Sequence, residues 1–427
     1  MAPILALAIF VVAFWFIATE RADKVKTVLV AAALMAVLGL IPGEQVFYSE
    51  HEGIDWNVIF LLLGMMIIVG VIKQTGLFDY LAIWAAKRSR GKPFRLMVML
   101  MLITAIASPV LDNVTIIMLV APVTLVVCAR LRIAPQPYLI AEVLASNIGG
   151  AATLIGDPPN IIIGSRAGLT FNDFLIHMAP AVIVVFALFV LFTRVLFRSA
   201  LRSDEVHLDQ VMALQERRAI KDTRLLTRAL VVLGLVVIGF GLHSVLHVAP
   251  SIVALVGAGT MLLVTDIDVG DVLPEVEWPT LVFFMGLFVM VAGLVHTGVI
   301  ETVGNFAAST FGDNYFMAAT ALVFGSAILG AFIDNIPYTA TMTPVVEGMA
   351  ADAPDAETGQ SLWWAFALGA CFGGNGTAVA ASANVVAIGI AQRAGHPISF
   401  WQFTKYGIIV TTLSSTLAWG YVWLRYF

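Results

Sequence analysis

ASPVLDNVTIIMLVAPV (residues 107–123) and AEVLASNIGGAATLIGDPPNIIIGS (residues 141–165), joined by a short basic turn, decide the reading of this 427-residue chain. They place Asp112, Glu142 and Asp157 inside segments that otherwise look like lipid-buried helix. An ionisable side chain near a bilayer centre costs roughly 2.5–3.5 kcal/mol on insertion scales, so such residues mark an ion or solute path. The same stretch breaks its own helices. Pro109 removes a backbone donor, Gly149-Gly150 loosen the next segment, and Asp157-Pro158-Pro159-Asn160 cannot continue a helix. Non-helical backbone at membrane depth is tolerated only where it is buried in protein or lines a cavity. A binding site is the expectation.

Composition sets the class. The chain is 60% hydrophobic and 12% charged with a mean hydropathy of +0.95, against about 25% charged in a soluble domain, and reads as an all-α polytopic membrane protein. A net charge of -5 gives no basic face for nucleic acid, and no nucleic-acid motif is present. Cys128 and Cys371 both sit in apolar stretches, which excludes a disulfide framework. Residues 1–19 lack a basic leader and a small-residue cleavage site and read as a retained first helix.

Apolar runs fall in two sets, one within 1–198 and one within 225–427, joined by a charged linker at 199–224 that contains Asp204, Glu205, Glu216, Arg217 and Arg218. Basic residues near run ends set the orientation. Arg21, Lys24 and Lys26, then Lys87, Arg88, Arg90, Lys92 and Arg95, then Arg130 and Arg132 mark the cytoplasmic side, which predicts both termini outside. The run at 96–129 thus starts and ends inside, and two half-helices of about 15 residues form a re-entrant hairpin better than two spans. Residues 138–165 follow as a broken helix. In the second set the hairpin at 315–346 is flanked only by acidic residues and enters from outside, and 361–392 is its broken helix.

The two sets also match in sequence. IDWNVIFLLLGMMIIVGVIKQTGLFDYL (54–81) aligns with VEWPTLVFFMGLFVMVAGLVHTGVIETV (276–303), pairing Trp56 with Trp278 and Gly64 with Gly286 at an offset of 222. That offset carries Asp112-Asn113 onto Asp334-Asn335. After two further residues, Gly149-Gly150 fall on Gly373-Gly374, Thr153 on Thr377 and Asn160 on Asn384. Opposite orientation makes this an inverted repeat, the plan of secondary transporters whose site lies where broken helices of both halves meet.

At that site Asn113, Thr115, Asn147, Asn160, Thr153, Asn335, Thr339, Asn375, Thr377 and Asn384 supply neutral donors and acceptors beside the glycine turns, with no arginine in either broken stretch before Arg166 and Arg393. Burial disfavours the charged form of a carboxyl, so Asp112 and Asp334 are the expected proton-exchanging or cation-coupling pair, unless each only caps the helix after it. Asp157 joins them as a coupling or loop-bracing residue. His243 and His247 are spaced for a metal but lack a third ligand, so no metal or cofactor is expected. Trp363-Trp364 and Trp401 read as interfacial anchors, and Cys371 as a packed small residue. Neither a phosphate-binding loop nor a soluble ATPase domain is present, so the chain must run on ion gradients.

ASNIGGAATLIGDPPNIIIG (145–164), FIDNIPYTATMTPV (332–345) and GACFGGNGTAVAASANVVAIGIAQRAG (369–395) strongly resemble the ion transporter superfamily, in the branch joining ArsB-type arsenite permeases, NhaD-type sodium/proton antiporters and the melanosomal P protein. The resemblance implies two inverted repeats with hairpins and unwound helices, a homodimer, and a transport unit moving like an elevator. Sodium-coupled dicarboxylate carriers of this superfamily carry Ser-Asn-Thr at the hairpin tips. Here the tips read Asp112-Asn113-Val114 and Asp334-Asn335-Ile336, which favours protons over sodium. The expected function is a cell-membrane secondary transporter extruding arsenite or antimonite against protons, and no enzyme. A sodium/proton antiporter, a P-protein-like anion pathway and a sodium-coupled dicarboxylate carrier are the alternatives. A soluble ATPase partner stays open. An intramembrane aspartyl protease would leave the repeat unexplained.

Overall fold

The computed structural model describes residues 1–19, 21–48, 53–198, 200–202 and 216–427. Asp204, Glu205 and most of the expected linker lie outside these. Helices fill the described chain and no strand occurs within it. Among the described residues, seven helices are long and apolar enough to cross a membrane, including Trp56–Gln74, Ala179–Leu196, Thr223–Leu246 and Trp278–His296. Their outer faces expose Ile183, Leu191, Val195, Val231, Leu235 and Ile238, apolar surface that water would not tolerate as a contiguous belt. The chain is a multi-pass membrane protein.

Helix starts repeat along the chain. Trp56–Gln74 and Trp278–His296 are each 19 residues long, and Leu77–Ser89 and Val299–Phe311 are each 13 residues long. Each short helix leads into a hairpin, the first made of Pro93–Ala107 and Asn113–Leu131, the second of Tyr315–Phe332 and Asn335–Ala351. The two short helices escape a search for apolar runs because each carries polar residues on one side. Pro93–Ala107, at 15 residues, has the length expected of a half-helix, whereas the other three arms, 19, 18 and 17 residues long, exceed it. Asp112 and Asp334 cap the second arms and let each begin at the tip itself. Beyond each hairpin comes a helix interrupted midway, Gln136–Gly150 with Pro158–Ala167, and Ala356–Gly373 with Ser382–Arg393.

The halves pack reciprocally. Lys24–Val37 lies on Trp278–His296, and its counterpart Pro250–Thr265 lies on Trp56–Gln74. The matched glycines allow this closeness: a side chain on Gly64 would strike the Ala254 backbone, and one on Gly286 would strike Val28. Asn113–Leu131 packs on Ser382–Arg393 of the other half, while Asn335–Ala351 packs on Pro158–Ala167.

One expectation fails outright. Trp363 and Trp364 are buried, and the Trp364 ring stacks on His177 with centroids 4.7 Å apart and meets Phe174 edge-on. They pack the interior and anchor nothing at an interface, because the whole of Ser361–Gly373 is enclosed by neighbouring helices. Trp401 is exposed, as an anchor requires. Near the linker's end, Glu216 pairs with Lys87 and the Lys221 N–H donates to the Thr75 carbonyl at 3.1 Å.

Candidate functional site

The hairpin tips and helix breaks meet at the centre of the molecule. Asp112 Oδ1 accepts from the N–H groups of Val114 and Thr115 at 3.0 and 2.9 Å, and its other oxygen takes the Thr115 hydroxyl. Asp334 Oδ1 accepts from the Ile336 N–H at 3.1 Å. Both aspartates therefore cap their helices, and capping leaves each with a second oxygen turned toward neighbouring side chains. Asp157 starts the helix after the first break without a side-chain capping bond; it is buried, and its Oδ2 has no hydrogen-bond partner among the described residues. Asp112 and Asp334 thus start the helices at the two hairpin tips and Asp157 the helix after the first break, while the Asn335 N–H at the second tip donates to the Ala380 carbonyl of the second break at 3.0 Å.

Matched residues hold the breaks in shape. Thr153 donates its hydroxyl to the Pro109 carbonyl, and Thr377 donates to that of Ala331 at 2.6 Å; Pro109 and Ala331 are themselves separated by the offset of 222. Asn160 Nδ2 reaches back over the first break to the carbonyls of Ala151 (3.3 Å) and Thr153 (2.9 Å), and Asn384 Nδ2 does so over the second to Gly374 and Thr377, both at 2.8 Å. Gly149 faces Ala105 and Gly373 faces Ala327, each so closely that an added carbon would lie 2.8 and 3.1 Å from the facing Cα. Gly150 and Gly374 lie under the side chains of Asn113 and Asn335.

These bonds change the expected assignment of roles. Thr153 and Thr377 spend their hydroxyls, and Asn160 and Asn384 their amide N–H groups, on bracing backbone. Thr339 bonds back to the Asn335 carbonyl at 2.7 Å, and Thr115 serves Asp112. Asn113 Oδ1 accepts from the Ser108 hydroxyl at 2.5 Å. Asn147 donates to Asn375 Oδ1 and to Asn384 Oδ1, each at 3.0 Å, yet its own Oδ1 and Asn375 Nδ2 stay unpaired in the interior. Of the neutral set, Asn147 and Asn375 each keep a buried polar atom unpaired, and among the described residues neither the Asn335 side chain nor Asn113 Nδ2 forms a hydrogen bond. Glu142, also fully enclosed, accepts from Thr124 at 2.6 Å and joins the first hairpin to its broken helix. His243 accepts the Phe171 N–H at 3.3 Å while His247 turns to the Val245 carbonyl, and the described residues hold no metal-ligating cluster.

A cavity of about 540 Å³ opens beside this centre, lined by Asp23, Lys24, Val114, Glu277, Thr280, Asp334, Ser382 and apolar neighbours. Sequence reasoning missed Lys24, Glu277 and Ser382 as site residues. The signal for Glu277 was in the repeat, since the offset of 222 places it on Asp55. Burial pushes its carboxyl up to about 7, with the Asp112 charge adding to the effect. On the opposite face the corresponding space, beside Asp55, Arg166, Ala340 and Thr343, holds only about 60 Å³. Arg166 Nε lies 2.7 Å from Glu347 Oε2 there and ties the first broken helix to the second hairpin. The space on the Lys24 side is about nine times that on the Arg166 side.

Known proteins agree with this architecture. An uncharacterized transporter of Mycobacterium tuberculosis is 53% identical over 99% of both chains, and a 46 kDa membrane protein of Mycobacterium leprae is 51% identical over 99% of both. The mouse P protein is 35% identical across 92% of this chain, which spans 56% of that protein. Two solved transporters share the fold at low identity. The YdaH transporter of Alcanivorax borkumensis has a TM-score of 0.61 at 15% identity, covering 100% of this chain and 99% of that one. Neisseria gonorrhoeae MtrF, described as one of a class of antimetabolite efflux pumps, has 0.62 at 12% identity, covering 98% and 97%. The family model of the citrate transporters matches residues 14–369, and the chain belongs to that family, CitMHS, as a membrane transporter.

Proposed function

We propose that the protein is a secondary active transporter of the cell membrane that exchanges a small oxygen-rich solute for protons. The observation that carries this reading is the placement of the buried Asp157 at a helix break and of Asp112 and Asp334 at the two hairpin tips, with the breaks cross-linked by Asn147 and Asn384 and Asp334 on the wall of a 540 Å³ cavity. Buried carboxylates at broken helices are the usual proton and ion relays of membrane carriers. Positive residues near helix ends put the Lys24 face in the cytoplasm, so the described conformation faces inward and both termini lie outside. The reciprocal packing of the halves supports an inverted repeat. The homodimer and elevator motion implied by the resemblance belong to the same proposal.

Arsenite or antimonite is the first solute. A small oxyacid, largely neutral at pH 7, needs no guanidinium clamp, and Asn147 and Asn375 retain the capacity to bind it. A second reading is favoured by Lys24: a cation on the cavity wall suits an anionic carboxylate such as citrate, the solute named for the family. Uptake of arsenite, antimonite and citrate into everted vesicles under an inside-acid gradient separates them. Gradient-driven arsenite or antimonite uptake supports the first reading, and citrate uptake alone the second. Transport of neither, with sodium collapsing the gradient instead, would make the protein a sodium/proton antiporter.

A further inference from the structure

Among the described residues that line the 540 Å³ cavity, Lys24 is the one that is basic. Its Nζ donates to Ser382 Oγ at 3.0 Å, and the same hydroxyl reaches Asp334 Oδ2 at 3.5 Å. The ammonium also lies 5.3 Å from the centre of the Phe283 ring, within the range of a cation–π attraction. The remaining charged groups around Asp334 are all acidic: Asp23 and Glu277 on the cavity wall, Asp112 at the first tip and Asp157 at the first break. Lys24 also occupies a distinctive place in the fold. It begins Lys24–Val37, which packs on Trp278–His296, whereas Asp334 and Ser382 lead the second hairpin's inner arm and the second half of its broken helix. One side chain thus bridges two groups of helices.

We propose that Lys24 is the internal counter-ion of Asp334 and a positioning residue for the transport cycle. In the proton-free, inward-open carrier the ammonium balances the carboxylate through Ser382 and holds the second hairpin against Lys24–Val37. A proton arriving on Asp334 from the cavity removes that negative charge. Lys24 then lets go of Ser382, and the bridge between the two helix groups opens. This rests on the reading of Asp334 as a proton site.

The test compares wild type, Lys24→Gln, Asp334→Asn and the double variant by thermal unfolding of the full chain in detergent between pH 5 and 9, with Lys24→Arg alongside. The expected result is a melting-temperature loss for Lys24→Gln that grows with pH, is rescued by arginine and vanishes when Asp334 is already asparagine. An equal loss in both backgrounds at every pH would make Lys24 a merely structural residue and overturn the proposal. Proton uptake in proteoliposomes adds a second readout. Removing a nearby cation favours the protonated carboxyl, so the half-maximal pH of Lys24→Gln should rise by about one unit. An unchanged profile contradicts the proposal. A wild type that moves no solute and no protons would sink the transporter reading, while the melting comparison would still decide the role of Lys24.

Discussion

Asn147 in the first half donates its side-chain amide to Asn384 Oδ1 in the second at 3.0 Å, across 237 positions of sequence. The reverse bond also exists. Cys371, which the repeat places opposite Asn147, donates its thiol to Asn160 Oδ1 at 3.2 Å. Each half thus fixes the loop brace of the other, and the two breaks are set as one unit.

Removing a brace should cost stability. Asn384→Ala strips partners from the Gly374 and Thr377 carbonyls and from Asn147. Each keeps a second partner, so the cost is that of three lost hydrogen bonds at about 0.5–1.5 kcal/mol apiece, and a loss of roughly 2–4 kcal/mol is expected in detergent unfolding. At Cys371 a serine keeps the donor to Asn160 and should stay near wild type, whereas valine should not. Equal stability of the serine and valine variants would show that the thiol bond is incidental.

Close approach at the glycines predicts a contrast within one residue type. In Gly149→Ala the new carbon would sit 2.8 Å from Ala105 Cα, against backbone that cannot swing away, and would displace the first tip. Gly325 faces open space, and alanine there should match or exceed wild-type stability. Solute uptake should fall at least tenfold in the first variant and hold in the second. Full uptake by Gly149→Ala would refute tight seating of the tip.

In the proposed inward-facing conformation, Arg166 and Glu347 close the far side. Arg166→Gln should speed thiol labelling of an introduced Ala340→Cys several-fold from that side, since Cys128 and Cys371 are both buried. A charge-swapped Arg166→Glu, Glu347→Arg pair should slow it again. Labelling that ignores the charge pairing would mean the ion pair does not close this face.

Glu277 gives a pH signature. Its folded-state carboxyl is raised to about 7 from an ordinary 4.5, so between those values the folded protein binds more protons than the unfolded chain. Stability should therefore fall as pH climbs from 4.5 toward 7. Discounted for partial exposure, the effect is roughly 1–2 kcal/mol. Glu277→Gln should flatten that slope in melting curves, and an unaltered slope would place the titration elsewhere.

Much of this was legible because lipid makes polar residues conspicuous. Asp112, Asp157 and Asp334, the glycine pairs and the broken helices all stand out against apolar sequence, and the offset of 222 marks the paired tips before any coordinates. Side-chain roles were less legible. A sequence shows that Asn160 and Asn384 are polar, not that they turn inward to brace their own loops. Lys24 read only as a marker of membrane side, since its reach to Ser382 spans 358 positions. Trp363 and Trp364 misled because tryptophan favours both interfaces and cores, and only the packing of His177 and Phe174 on Trp364 distinguishes them.

Proton coupling through the paired tips is the central claim. Its most direct test is solute-driven proton movement in proteoliposomes, read with an internal pH dye, for wild type, Asp112→Asn and Asp334→Asn presented with arsenite and with citrate. The account predicts a solute-dependent pH change in wild type that drops at least tenfold in either variant while both stay folded. Solute flux that persists in both variants with its proton movement intact would contradict it.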